Sequence, residues 1–350
     1  MRLSLVTVTH RSAAVLPRLL TSFSSEVERL GIEAQVVVVE QSEGLDQVSE
    51  QCLDLVDIVL GRPNRGYAAG VNAGVAASAG DTLLLVNPDI ELLPGSLEPL
   101  LEALDGGWSV VGPQLAWDRE GTVLLPVPED PSPRAELWRA ARRRWDWAWR
   151  RGLDGHLGLC WRLWRLEGVE RVACLRGPLL ALRRSQWDRL GPMDEGYFLY
   201  YEETEWLWRA HLGGARLGLV GRARVVHGFG HSTRSLEGRE ELERRSRQRF
   251  LARNYSRAAR WALGGIASRH GVEPGLAHEV AGPHDVPPLA VDMWVLSPFA
   301  HLMPAAGWVG GEGLPPRVAE LTARGAWFLA AASRRGDRWQ LAGCWRWGPA

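Results

Sequence analysis

Two hydrophobic periods alternate between residues 3 and 86, and this alternation restricts the fold more than any other feature of the chain. Residues 3–9 and 35–40 are apolar, β-branched runs, the second with four successive valines, as in strands covered on both faces. Residues 56–60 and 81–86 are shorter runs of the same kind. Between them, Ser12 precedes a helical stripe of Val15, Leu16, Leu19, Leu20 and Phe23, with Ser12 as its expected cap. Residues 67–79, rich in alanine and glycine, suit a closely packed helix. Strand and helix in this rhythm predict an α/β fold with a parallel sheet and helices on both faces. Such sheets bind ligands beyond the carboxyl ends of their strands. His10, Glu40, Asn64 and Asp89 are the polar residues expected there.

The rhythm loosens after about residue 126. Four prolines lead into residues 134–151, which read as one helix dense in arginine and tryptophan. Residues 171–182 read as a strand containing Gly177-Pro178, and Ser185 opens a short helix that Gly191 ends. Residues 203–212 and 237–263 read as helices, with short strands at 215–220 and 224–227. Beyond 266 the texture becomes proline, glycine and isolated apolar residues, with two strands expected at 325–333 and 339–347. The expected organisation is a main domain over 1–265 and a small α+β extension over 266–350.

Lysine plus arginine and aspartate plus glutamate both number 41, so no global basic surface points to nucleic acid. The four cysteines are far apart and form no C-x-x-C pair, which argues against zinc or a disulfide framework and fits a reducing, cytoplasmic location. Neither a signal peptide nor a run of about eighteen apolar residues is present. The 18 tryptophans, many beside arginine, suggest surfaces that meet sugars or a membrane interface. For residues 134–151 two readings stand: a basic helix resting on an anionic membrane, peripheral at the inner face of the plasma membrane, or an ordinary amphipathic helix covering the sheet.

The strand at 81–86 delivers Asn87-Pro88-Asp89 to its carboxyl edge. A carboxylate there can hold a hard divalent cation that bridges the phosphates of a nucleoside diphosphate. Upstream stands Asn64-Arg65-Gly66-Tyr67 followed by Gly70-Val71-Asn72-Ala73-Gly74, whose glycines permit close approach of a backbone. Downstream come Arg176-Gly177-Pro178, then Met193-Asp194-Glu195-Gly196, Glu202-Glu203-Thr204-Glu205 and Val226-His227-Gly228. Crowded carboxylates such as Glu202 and Glu203 raise one another's proton affinity, as suits a general base.

Over about residues 2–262 these stretches, in this order, resemble glycosyltransferase family 2, especially its rhamnosyltransferase-like members. The resemblance implies a GT-A fold, a three-layer αβα sandwich with a mostly parallel central sheet. It implies inverting transfer of a sugar, rhamnose among the candidates, from a dTDP- or UDP-sugar to the hydroxyl of a saccharide or lipid-linked acceptor. Asn87, Pro88 and Asp89 match the family's metal motif, so Asp89 and His227 are expected to serve Mg2+ or Mn2+. Glu203 takes the place of the catalytic base, beside Glu202. Thr9, His10, Glu40, Asn64, Gly66, Asn72, Asn87, Gly177, Glu205 and His231 are expected around the nucleotide-sugar; for Arg247, Arg249 and Arg253 on the late charged helix two readings stand, near the phosphates or on a solvated face. The chain has His10 and Arg11 where the family has Tyr-Asn, Glu40 where it has Asp, and Glu203 where it has Asp. A nucleotidyltransferase would carry a glycine-rich basic loop after the first strand, which Thr9-His10-Arg11-Ser12 lacks. A degenerate, saccharide-binding or scaffold protein of the same fold is the alternative these departures leave open.

Overall fold

The computed structural model describes residues 2–42, 52, 54–228, 238–267, 275, 277–311 and 313–348. It divides into two compact units, Met1–Leu115 with Glu167–Asn254, and Ala116–Leu166 with Tyr255–Ala350. This differs from a single cut after residue 265, because the middle segment groups with the C-terminal residues.

In the first unit, β1 (Arg2–Thr9), β2 (Glu33–Glu40), β3 (Ile58–Gly61) and β4 (Thr82–Val86) form the parallel part of the sheet. β5 (Ile90–Leu92), β6 (Val110–Ala116), β7 (Val169–Arg171), β8 (Leu179–Arg183) and β9 (Leu217–His227) extend it. The order is β3-β2-β1-β4-β8-β6-β9-β5, with β7 also on β9. β8 runs antiparallel to both β4 and β6, and β9 runs antiparallel to β5 and β7. The expected α/β class with a mostly parallel central sheet is therefore present. The strand read over 171–182 is two, β7 and β8, whereas the two read over 215–227 are one, β9.

Helix Leu16–Leu30 buries Leu16, Leu19, Leu20 and Phe23, and left-handed Gly31 (φ 61°) ends it. Ser12 does not cap it. The helix starts later, and Ser12 turns its hydroxyl back to the His10 carbonyl. Helix Tyr67–Ala77 has little amphipathic character. It packs through glycine instead: a Cβ on Gly70 would lie 2.5 Å from Val8 and one on Gly74 2.4 Å from Val6. The helix therefore lies close against β1, and its first turn reaches the carboxyl edge of the sheet.

In the second unit, residues 134–151 are not one helix. Trp145 adopts an extended conformation between helices Pro133–Arg144 and Asp146–Trp164. The charged stretch after 237 is likewise two helices, Arg239–Asn254 in the first unit and Arg257–Ala267 in the second, and the latter packs on Pro133–Arg144. A five-stranded sheet has the order β10 (His278–Glu279), β14 (Arg338–Trp347), β13 (Trp327–Arg335), β11 (Met293–Ser297), β12 (Ala306–Val309). Its core is built on Trp294, Trp308, Trp345 and Trp347 with Leu296 and Leu329. Many tryptophans are thus core residues, while Trp145, Trp147 and Trp261 are exposed and others, Trp161 and Trp339 among them, are only part-buried.

Candidate active site

Two loops of the first unit meet at the carboxyl end of β1 and β2. Thr9 Oγ1 donates to Glu40 Oε2 at 2.7 Å, and the other oxygen of Glu40 accepts from the Ser42 amide at 2.6 Å. Glu40 is buried, so its carboxylate organises this edge from within. His10 Nδ1 lies 3.3 Å from the Gln41 carbonyl and 3.5 Å from Asn64 Nδ2. Asn64 Oδ1 accepts from the Gly66 amide, and Gln41 Nε2 donates to the Gly66 carbonyl. Thr9, His10, Glu40, Asn64 and Gly66 therefore form one connected rim, to which Gln41 is an addition that sequence reasoning passed over.

Gly66 then ties this rim to the acidic segment. Its φ is +95°, and a Cβ would sit 2.3 Å from the Phe198 carbonyl oxygen, so only glycine fits. The next amide, Tyr67 N–H, donates to that same carbonyl at 3.0 Å. Tyr200 and Tyr201 follow with φ of 66° and 67°. Two non-glycine residues in the left-handed region mark a backbone held by its surroundings. The Ser246 hydroxyl holds the Leu199 carbonyl at 2.7 Å, and Tyr201 packs on Phe250. Immediately beyond this turn, Glu202 and Glu203 open helix Glu202–Leu212.

Burial pushes the Glu202 carboxyl well above the ordinary carboxylate range, and the charge of Glu203 pushes it further. Glu203 is also raised, first by burial, but the Glu202 side chain hydrogen-bonds to it and Arg176 opposes the rise. Glu202 is buried and Glu203 part-exposed. Space for Glu203 comes from Gly177, where a Cβ would lie 2.3 Å from the Glu203 Cγ.

Asp89 occupies the turn between β4 and β5, buried, with its carboxylate 3.5 Å from His227 Nε2. Register brings the two together, because Ile90 of β5 pairs with His227 of β9. Burial lowers the proton affinity of His227 and Arg176 lowers it further, against the pull of Asp89. A neutral imidazole beside a carboxylate is a donor pair that suits Mg2+ or Mn2+. Among the described residues no group of three or more His, Cys, Asp or Glu side chains gathers around a metal position. The protein thus offers this pair, and phosphate oxygens and water would complete a coordination sphere. Asn87 is anchored by its amide to the Pro178 carbonyl, which sets this turn beside Gly177.

One side chain joins the two ends of the site. Burial drives the phenol of Tyr67 far up, and the nearby carboxyl groups of Glu203, Glu202 and Asp89 add to the rise. Arg176 acts on both Glu203 and His227. Neither Tyr67 nor Arg176 was singled out from sequence, although each stands inside a quoted motif. Five residues expected at the site have other partners or lie outside the described residues. Asn72 uses its amide on the Met193 backbone and on Glu195, clamping that loop. Glu205 turns to Arg209 at 3.5 Å. Arg249 and Arg253 pair with Asp194. His231 lies outside the described residues.

Residues 4–162 match the family model described as Glycosyl transferase family 2. Over 291 residues the chain is 31% identical to the N-acetylglucosaminyl-diphospho-decaprenol L-rhamnosyltransferase of Mycobacterium tuberculosis (strain ATCC 25618 / H37Rv), covering 75% of this chain and 89% of that one. It is 26% identical over 236 residues to the low-salt glycan biosynthesis hexosyltransferase Agl10 of Haloferax volcanii, covering 65% of this chain and 69% of that protein. The solved structure of GalNAc-T7 with UDP, GalNAc and Mn2+ superposes with a TM-score of 0.51 at 17% identity, over 72% of this chain and 48% of that one. That likeness establishes a shared GT-A fold. By the extent of the first sequence match, the chain belongs to glycosyl transferase family 2 and is a nucleotide-sugar-dependent glycosyltransferase.

Proposed function

We propose that the chain performs an inverting, cation-assisted transfer of rhamnose from a dTDP- or UDP-linked donor to a hydroxyl of a lipid-linked saccharide. The observation that carries this reading is the bond from the Asn87 amide to the Pro178 carbonyl, which sets the Asp89 turn beside Gly177, the residue against which Glu203 packs; Tyr67 and Arg176 feel charges from both ends. A diphosphate end and a base end then belong to one site. Thr9, His10, Glu40, Asn64 and Gly66 would hold the nucleotide at the rim, and Asn87 and Gly177 would shape the floor. Asp89 and His227 would hold Mg2+ or Mn2+, which supplies neutralisation of the leaving diphosphate. Glu203 takes the proton of the acceptor hydroxyl as its oxygen attacks the anomeric carbon. Glu202, keeping its own proton, orients and restrains that carboxylate. Rhamnose and the lipid-linked acceptor come from the mycobacterial relative's name, and the identity of 31% supports their transfer to this chain.

The decisive experiment is Glu203→Gln. Donor binding with Mn2+, measured by calorimetry, is expected to persist while turnover falls about 10²–10⁴-fold, the usual worth of a general base. Normal turnover by this variant would remove the base assignment. The non-catalytic alternative is disfavoured by the family match and by the 31% identical rhamnosyltransferase relative.

A peripheral membrane position fits the same reading. No described helix is long and apolar enough to cross a membrane. Trp147 is 62% and Trp261 83% exposed, and Trp145 stacks on Trp147 beside exposed Arg143, Arg150 and Arg151. An interfacial tryptophan patch edged by arginine suits anionic lipid. Arg139 and Arg142, by contrast, are largely covered and lie beside Glu129 and Glu136, so they belong to the helix packing.

A further inference from the structure

A cavity of about 640 Å³ lies wholly within the second unit, between helix Asp146–Trp164 and the β13–β14 hairpin. Its volume is in the roughly 300–1,000 Å³ range of small-molecule sites. The Trp161 and Trp339 indoles line it with centroids 5.4 Å apart and planes tilted by 59°, and the Arg165 guanidinium sits 4.5 Å over Trp161. Asp154 also lines it, and one of its carboxylate oxygens accepts from the Trp339 amide at 2.7 Å, fixing the start of β14 on the helix. Arg334 and Asp337, 3.8 Å apart across the hairpin turn, add a guanidinium–carboxylate pair.

The glycines of this helix separate packing from cavity. Glycine weakens a helix interior, so each needs a reason. Gly152 has one in packing, since a Cβ there would come within 2.9 Å of Arg142. Gly155 has no such constraint, because a Cβ there would meet nothing within 4 Å. At Gly158 a Cβ would meet only the Trp339 indole, at an ordinary 3.5 Å. Both line the cavity. Their missing side chains leave open the space between the two indoles and the paired charges.

We propose that this cavity binds an oligosaccharide, the glycan of the acceptor or the product. That the glycan is the enzyme's own rests on the transferase reading above. A pyranose has a face of C–H groups, which lies against an indole, and a rim of hydroxyls. Carboxylates accept from that rim and guanidinium groups donate to it. Asp154 and Asp337 offset two of the three lining arginines, Arg162, Arg165 and Arg334, and the charged lining disfavours an apolar ligand. A glycan held here would keep the enzyme on its substrate between turnovers.

The test uses the full chain on an array of oligosaccharides, followed by titration of the best binder with tryptophan fluorescence as readout. Gly155→Leu fills the cavity from an open side of the helix and improves helix propensity, so it should fold. Trp339→Ala removes one indole. Each is expected to weaken glycan binding at least about tenfold, while Mn2+-dependent diphosphate binding and transfer to a short acceptor stay unchanged. The proposal is overturned if the array shows no binding, if both variants bind as the parent does, or if Asp89→Ala abolishes the binding. Cavity-dependent glycan binding by a chain that transfers no sugar would sink the transferase reading and leave the cavity assignment standing. Transfer without cavity binding would do the reverse.

Discussion

Glu202 and Glu203 are adjacent and chemically identical, yet their surroundings divide the work. Glu202 is the more buried and carries the more strongly raised proton affinity, and its side chain bonds to Glu203. The rate should rise with pH as Glu203 ionises, with an acid limb above the ordinary carboxylate range. Glu202→Ala removes the group that steadies the Glu203 anion, so that limb should move to higher pH. Glu202→Gln keeps a donor and should restore it towards the parent. A pH–rate profile in which all three enzymes coincide would contradict the division. At the other end, Asp89→Ala should abolish cation-dependent diphosphate binding, read by calorimetry with and without Mn2+. Binding that persists and stays cation-dependent would remove Asp89 from the metal position. The motif order brought Asp89, His227 and Glu203 forward as candidates in sequence. Tyr67 and Arg176 were not among them, since a tyrosine opening a helix and an arginine before a glycine gain meaning only from what folds around them.

Elements here are held by side chains that sequence spacing does not connect. Helix Leu97–Asp105 has no side-chain cap of its own. Glu26, on helix Leu16–Leu30, accepts from the Gly95 and Leu97 amides at 2.8 and 3.0 Å and pairs with Arg29. Burial pushes its carboxyl up, but the Arg29 bond and the two amides outweigh that and leave it below the usual range. A lowered folded-state value contributes stability above the unfolded-state pKa, and that stability is lost as pH falls through the folded value. Glu26→Ala should therefore cost about 1–3 kcal/mol near neutral pH and flatten the decline in stability at acid pH. Chemical denaturation at two pH values measures both, and an equal loss at neutral and strongly acid pH would refute the capping account. The same kind of tie appears at Asp57, whose carboxylate accepts from the Val36 amide at 2.7 Å beside the β2–β3 pairing.

For the whole molecule, net charge is zero, so any attraction to a membrane must come from a local patch. Binding to anionic vesicles at low salt should be weakened by Arg143→Glu with Arg151→Glu, and separately by Trp147→Ala. Sedimentation that is equal for parent and variants, or absent altogether, would discard the membrane surface. The sequence by itself determined the α/β class, the carboxyl-edge position of the site and the order of its motifs, because strand period, helix period and glycine spacing are local properties. It misread residues 134–151 as one helix and did not group residues 116–166 with the C-terminal residues, because a break at Trp145 and a tryptophan core depend on partners far along the chain. Tertiary structure alone decided that β9 lays His227 beside Asp89, that Gly66 docks its loop on Phe198, and that two neighbouring glutamates are held in surroundings that raise the proton affinity of both. Burial and pairing across the sheet set those relations, and neither is encoded in the identity of a single residue.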